Sequence, residues 1–498
     1  MKLFKNIYAL SLLAIFTVAS CNDAIDIDQP GRLGADQAFA TVNDLQLGLL
    51  GVYNGFDHSS EIQFNALFTD ELSIGFDSGG QGIGNGTYGF VLNPGSAISS
   101  ALWNRYYGTL ININLLLEAA AAITPDAADQ DQYDDIVAQA RALRAYAHFQ
   151  LLAYYSPDLT DDSAPGVIAV DFVPAVTDQL PRNTTGEVFA AILADLSAAA
   201  PNLADATNAT FISQAFVTAL QARIALYRRD YTTADGLAAS LLSSFDLADR
   251  AGYVDAFTDN GTDDIIFKLE RTINDTYDRQ GATGSANAGG WAGANFAFVN
   301  ASIDGSPYFE AGRSLFNLFD TNDIRFDVCF HPTSLINPDY ATDADPRTTD
   351  ILVIGKYTGS EGQPLMNDLK IFRVSEMQLI RVEAAIASGN LAGAATLMKE
   401  LRDARYDVAQ PLPSYASAQA AYNDLLNERR KEFAFEGHRW LDLKRLGADA
   451  GQNVQRDPID CAINGACTLS STDFRMQALP IPLVELNANE NISQNAGY

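Results

Sequence analysis

QAFVTALQARIALYRRDYTTADGLAASLLSS, residues 214–244, carries apolar and alanine side chains at helical spacing, pauses at a short polar stretch, then resumes a second Ala-rich run. The layout predicts a helix, a tight turn and a second helix, with small side chains letting the two approach closely. EMQLIRVEAAIASGNLAGAATLMKELRDAR, residues 376–405, repeats that plan. Working outward, the same spacing predicts helices near 36–53, 99–122, 131–154, 185–200, 213–228, 232–244, 375–388, 391–405 and 416–446. The chain therefore reads as mainly α: helix pairs forming a single compact body, with long irregular loops and a few short strands. The strand-like runs are IIFKLE at 265–270 and ILVIGKY at 351–357.

The two helix pairs resemble tetratricopeptide units, although here the copies are scattered rather than in tandem. Two segments break the pattern. FDSGGQGIGNGTYGFVLNPG spans 76–95, and Thr276 to Gly312 contains RQGATGSANAGGWAGANFAFVN. Gly, Asn, Ser and Ala dominate both, and loops this long inside a compact body are functional or disordered.

Charge excludes several roles. With 32 Lys+Arg against 62 Asp+Glu, the formal charge is -30. Such a chain repels nucleic acid, polyanionic glycans and anionic membrane surfaces. A neutral small molecule or neutral glycan remains open. At the N-terminus, Lys2 and Lys5 precede an apolar run from Leu10 to Ala19 that is too short for a spanning helix. Residues 1–20 read as a signal peptide. Val18-Ala19-Ser20-Cys21 resembles a bacterial lipobox, which makes Cys21 the lipidated residue, held stably by two or more acyl chains. The acidic run NDAIDID follows as a tether.

Cys461 and Cys467 bracket AINGA, whose Asn464-Gly465 favours a tight turn. In an exported protein they read as a local disulfide, with two free thiols as the alternative. Cys329, between Val328 and Phe330, reads as a small core residue. No Cys/His spacing points to zinc, and no cofactor motif survives inspection. Gly84-Asn85-Gly86-Thr87-Tyr88-Gly89 matches GxGxxG formally, but Pro94-Gly95 follows and no helix opens, so it reads as a flexible loop. There is no Walker A, HExxH or GxSxG sequence. DTNDIRFD at 320–327 lacks the glycine and terminal Glu of an EF-hand and reads as a turn between helix and strand.

NERRKEFAFEGHRW, residues 427–440, gathers positive charge in this acidic chain. Read as a helix, it places Phe433, Gly437, Trp440 and Lys444 on one stripe, with Gly437 permitting close approach of a neighbouring backbone. Helical spacing pairs Glu428 with Lys431, Arg429 with Glu432, and Arg439 with Glu436 and Asp442. The charge is then neutralised on its own helix, as partly buried pairs that fix geometry.

The same residues carry a family resemblance. ERRKEFAFEGHRWLDLKRLG resembles the C-terminal hallmark of the SusD/RagB family, and ALPIPLVELNANENISQNAGY its closing segment, with Ala496 where proline is common. KIFRVSEMQLIRVEAAIASGN, with Arg373 and Glu376, resembles a further family motif, TNDIRFDV its Asp-x-Arg-Phe turn, and GADQAFATVNDLQLGLLGVYNGF and ALWNRYYGTLININLLLEA its N-terminal half. The resemblance divides the mature chain into an N-terminal helical region, 21–260, and a C-terminal region, 261–498. It implies a non-catalytic lipoprotein on the outer face of the outer membrane in Bacteroidetes, where an acidic run behind the lipidated cysteine resembles a surface-display signal. It further implies binding of glycan, less often peptide, as a lid over a SusC-like TonB-dependent transporter, with no cofactor and no nucleic acid. Ligand contacts in that family come from variable loops and cannot be carried over.

Chemistry supplies the candidates instead. Sugars stack their C–H faces on aromatic rings and offer hydroxyls to amides and carboxylates. Trp291 sits in a Gly-rich loop where burial is hard to arrange, and Asn295, Tyr277, Tyr88 and Asp77 share the two irregular segments. The alternatives for Trp291 are a side chain tucked against the helices or a transporter contact. Two other functions stay open: a surface glycoside hydrolase, and a helical scaffold that binds only protein.

Overall fold

The computed structural model describes residues 38–498 apart from 77–78, 204–207, 276–289, 298–302 and 304–306. The signal segment, Cys21, Asp77 and Tyr277 lie outside the described residues. The longer helices, in chain order, are α1 (Val42–Asn54), α2 (Ser59–Phe68), α3 (Ala97–Ala122), α4 (Gln130–Tyr155), α5 (Thr185–Ala199), α6 (Gln214–Tyr227), α7 (Tyr231–Leu242) and α8 (Arg250–Phe257). After them come α9 (Ile324–Cys329), α10 (Val374–Ala387), α11 (Leu391–Arg405), α12 (Ala418–Glu432) and α13 (Arg439–Ala450).

Helix starts follow local chemistry. Helix α1 opens at Val42, where Thr41 and Asp44 form a reciprocal capping box, while residues 36–37 of the expected 36–53 helix lie outside the described residues. Thr184 and Glu187 do the same for α5. Side chains of Ser213, Asp230, Asn390 and Ser417 cap α6, α7, α11 and α12.

The repeated helix pairs, distant in sequence, are neighbours in space. The α6/α7 pair packs together, as does α10/α11, and α7 lies against α10. Alanines make the contacts close: Ala219, Ala222, Ala234, Ala238, Ala394 and Ala395 are buried. Arg223 of α6 clamps Glu376 of α10 through two hydrogen bonds of 2.7 and 2.6 Å. On the other side, α3, α4 and α5 pack in succession, with α1 against α3 and α4. One continuous hydrophobic cluster draws side chains from nearly every one of these helices.

Four labelled strands form two small antiparallel sheets. In one, β2 (Ile265–Leu269) pairs with β4 (Leu369–Arg373). In the other, β1 (Leu72–Ile74) pairs with β3 (Phe309–Ala311). ILVIGKY, expected as a strand, makes only isolated bridges through Ile351 and Ile354, and KIFR supplies the partner of IIFKL instead. DTNDIRFD does not lead into a strand. Asp323 caps the short helix α9, accepting from Arg325 N at 3.1 Å.

The expected helix over 416–446 is broken. It stops at Glu432 and restarts at Arg439, with Phe435 at φ 62° and Gly437 at φ 86° in between. A Cβ on Gly437 would lie 3.1 Å from His58 Nε2 and 3.4 Å from Ile62 N, so α2 does approach here. Beyond the break, Trp440 is fully buried, stacked on Tyr154 with ring centroids 5.6 Å apart. Because the helix breaks, most of the expected pairings fail. Glu428–Lys431 forms at 3.2 Å. Arg429 instead reaches Asp442, Arg439 reaches Asp70, and Glu436 reaches Lys356 and Arg373. The charges are neutralised by distant segments, and they are buried rather than partly exposed.

Candidate functional site

The pairing of β1 with β3 joins the two irregular segments. Ser73 stands opposite Glu310 and Ile74 opposite Phe309. The ladder runs on one residue further, where Gly75 N donates to Tyr308 O at 3.1 Å. Segment 76–95 leaves β1 at the point where the 276–308 segment enters β3. Only glycine fits at 75, since a Cβ there would sit 2.1 Å from Pro307 O.

The 84–89 stretch, expected as a flexible loop, is anchored to the body at Tyr88. Tyr88, Phe90 and Leu92 are buried, and a single 3-10 turn spans Gln81–Gly84. Arg456 fastens it. That guanidinium lies 3.8 Å from the Tyr88 ring centroid and donates to the carbonyls of Tyr88, Ala466, Leu67 and Thr69. Burial holds its pKa below the usual guanidinium value. Nothing in the local sequence reveals this clasp, because the arginine is more than 360 residues from Tyr88.

Three sequence candidates can be located, and all are buried. Tyr88 is 0% exposed and its hydroxyl donates to Asp460 O at 2.9 Å. Asn295 is 2% exposed, its side-chain amide donating to Ser59 O at 2.9 Å. The expectation that Trp291 stands free in its loop is corrected: it is 6% exposed, and its indole N–H donates to Thr272 O at 3.1 Å. The physical reason is the glycine run itself. A Cβ on Gly293 would lie 2.3 Å from Tyr357 O, so the lack of a side chain lets this backbone press onto the body and carry Trp291 inward. Cys461 and Cys467 are joined by a disulfide with Cα atoms 5.1 Å apart, and Cys329 is a buried free thiol.

The solvent side of the β1/β3 junction is built from residues the sequence did not single out. Phe76 and Tyr308 are both half-buried. The exposed Arg347 guanidinium sits 4.8 Å from the Phe76 ring centroid. Beneath them is a cavity of about 30 Å³ lined by Ser73, Glu310, Asp350 and Asp460 among others. Burial pushes Glu310 up to about 8 and Asp460 up to about 7. Glu310 therefore carries a proton at neutral pH and can donate a hydrogen bond. A glycosidase pairs one protonated carboxyl with one ionised carboxylate across a sugar ring, and this cavity of about 30 Å³ is far too small for a sugar ring. Among the described residues no group of His, Cys, Asp or Glu is placed to hold a metal ion.

A helical body that presents rings and polar groups on joined irregular segments defines a binding scaffold. A family model described as SusD family matches residues 270–498, and one described as starch-binding associating with outer membrane matches residues 86–226. The chain belongs to the SusD/RagB family. SusD-like protein P2 of Formosa agariphila is 25% identical over 539 aligned residues, covering all of both chains. The starch-binding protein SusD of Bacteroides thetaiotaomicron is 32% identical over 165 residues, which is 32% of this chain and 28% of that one. Among solved structures, a SusD superfamily protein from B. thetaiotaomicron superposes with a TM-score of 0.75 at 22% identity, over 92% of this chain and 100% of that one. A SusD-like carbohydrate binding protein from Bacteroides vulgatus gives 0.67 at 19%, over 91% and 98%. The structural likenesses show the fold.

Proposed function

We propose that the protein is a lipoprotein on the exterior face of the outer membrane that captures oligo- or polysaccharide and delivers it to a SusC-like TonB-dependent transporter. What supports this reading is the β1/β3 junction, where half-buried Phe76 follows β1, half-buried Tyr308 precedes β3, and the exposed Arg347 guanidinium lies 4.8 Å from the Phe76 ring centroid. The Phe76 ring receives the C–H face of a sugar, while the Arg347 guanidinium hydrogen-bonds its hydroxyls. Asp77 and Tyr277 belong to the two segments that meet there and remain candidate contacts. The starch-binding relative and the match to a starch-binding family model support a glycan as ligand. The net charge of -30 favours a neutral one.

The test is affinity electrophoresis against soluble starch, laminarin and xylan. Wild-type protein should be retarded by at least one, and Phe76→Ala should weaken that binding about fivefold or more with the polysaccharide left intact. Equal retardation of wild type and variant would remove the β1/β3 face from the site. Release of reducing sugar would convert the protein into an enzyme.

A further inference from the structure

A second cleft lies at the other end of α2. Arg271 lines it and donates to Phe56 O, just ahead of that helix, whereas β1 begins just after the helix ends. A ten-residue helix is about 15 Å long. Phe56, which Arg271 contacts, and Leu72, where β1 begins, flank opposite ends of α2.

The cleft is about 300 Å³ and is walled by the end of α1, the 208–212 turn and the exit of β2. Its floor is rigid. Tyr53 donates to Gln139 Oε1 at 2.6 Å and accepts from Ile212 N at 2.8 Å, which fixes both the ring and the turn. Lys268 N donates to Ala209 O at 2.8 Å, holding the same turn against β2. Phe211 stands edge-on to Tyr53, ring centroids 5.5 Å apart, and is 36% exposed. Around the rim, Asn54, Glu270, Thr272 and Asn274 are exposed. The rim thus combines one presented ring, two carboxamides, a hydroxyl and a carboxylate. That set suits a polyol with a flat apolar face, and it suits a phosphate or sulfate poorly because Glu270 and Asp275 face the same space.

We infer that this cleft is a second saccharide subsite, occupied by the far end of a chain whose other end lies on the β1/β3 face. The inference rests on the glycan reading above. It makes affinity depend on chain length, because only an oligosaccharide long enough to span α2 touches both places at once.

Isothermal titration with tri- and heptasaccharides of α-1,4-glucan, β-1,3-glucan and β-1,4-xylan tests it. Wild type should bind the heptasaccharide of its preferred series at least tenfold more tightly than the trisaccharide. Phe211→Ala should erase that gain and leave the trisaccharide unchanged, whereas Phe76→Ala should weaken both. If Phe211→Ala lowers the melting temperature, Asn274→Ala serves in its place, since that side chain lies on the surface. A chain-length gain that survives both variants overturns the subsite and leaves the primary site standing. Failure of wild type to bind any of the six sugars defeats the glycan reading and the subsite with it.

Discussion

Glu432 shows how far a single residue's neighbours set its state. Its carboxylate accepts from Arg373 at 2.8 Å, Arg405 at 2.9 Å and Arg325 at 3.0 Å. Burial pushes its pKa up, but the guanidiniums of Arg405, Arg373 and Arg325 outweigh that and hold it well below the carboxylate range. Glu310 is the opposite case. Burial dominates there, and the carboxyl is raised from 4.5 to about 8. A folded-state pKa above the unfolded one means that the folded form holds the extra proton, so its contribution to stability falls as pH rises between about 4.5 and 8. Glu310→Gln cannot titrate. Urea midpoints measured across that window should therefore fall less steeply for the variant than for wild type. Parallel curves would show that Glu310 titrates normally.

At the scale of elements, the turn at 433–438 decides where the hallmark's charges go. It allows α13 to leave at an angle that sets Trp440 on Tyr154 and Arg439 on Asp70. Gly437 at φ 86° is the residue that permits it. Gly437→Ala should cost roughly 1–2 kcal/mol from the left-handed backbone alone, read as a lower urea midpoint. An unchanged midpoint would mean that the turn relaxes. Sequence periodicity located the helix pairs well because amphipathic spacing and caps are local properties. It missed this break because a six-residue interruption between two regular stretches leaves the apolar period nearly in phase. It also misjudged the irregular segments. Glycine-rich composition marks both flexible loops and backbones that pack closely, and Gly75 and Gly293 are of the second kind. Phe76 and Arg347 carried no local signal, since they lie 271 residues apart and meet only in the fold.

For the molecule as a whole, the helical body is held by one large hydrophobic core, with a small second cluster formed by Tyr253, Phe257, Ile324 and Val328. Among the described residues no helix is long and apolar enough to cross a membrane. Under the proposed function Cys21 is the point of attachment. Cys21→Ala should move the protein from the outer-membrane fraction to the soluble periplasmic fraction. Continued sedimentation with membranes would contradict lipid anchoring.

The β1/β3 ladder sets residue 72 against residue 311. Contacts of such sequence separation close late in folding, after the loop entropy between them has been overcome. Under the proposed function, a chain whose β1/β3 ladder has not yet closed lacks the capture face, so competence to bind arrives only with the finished fold.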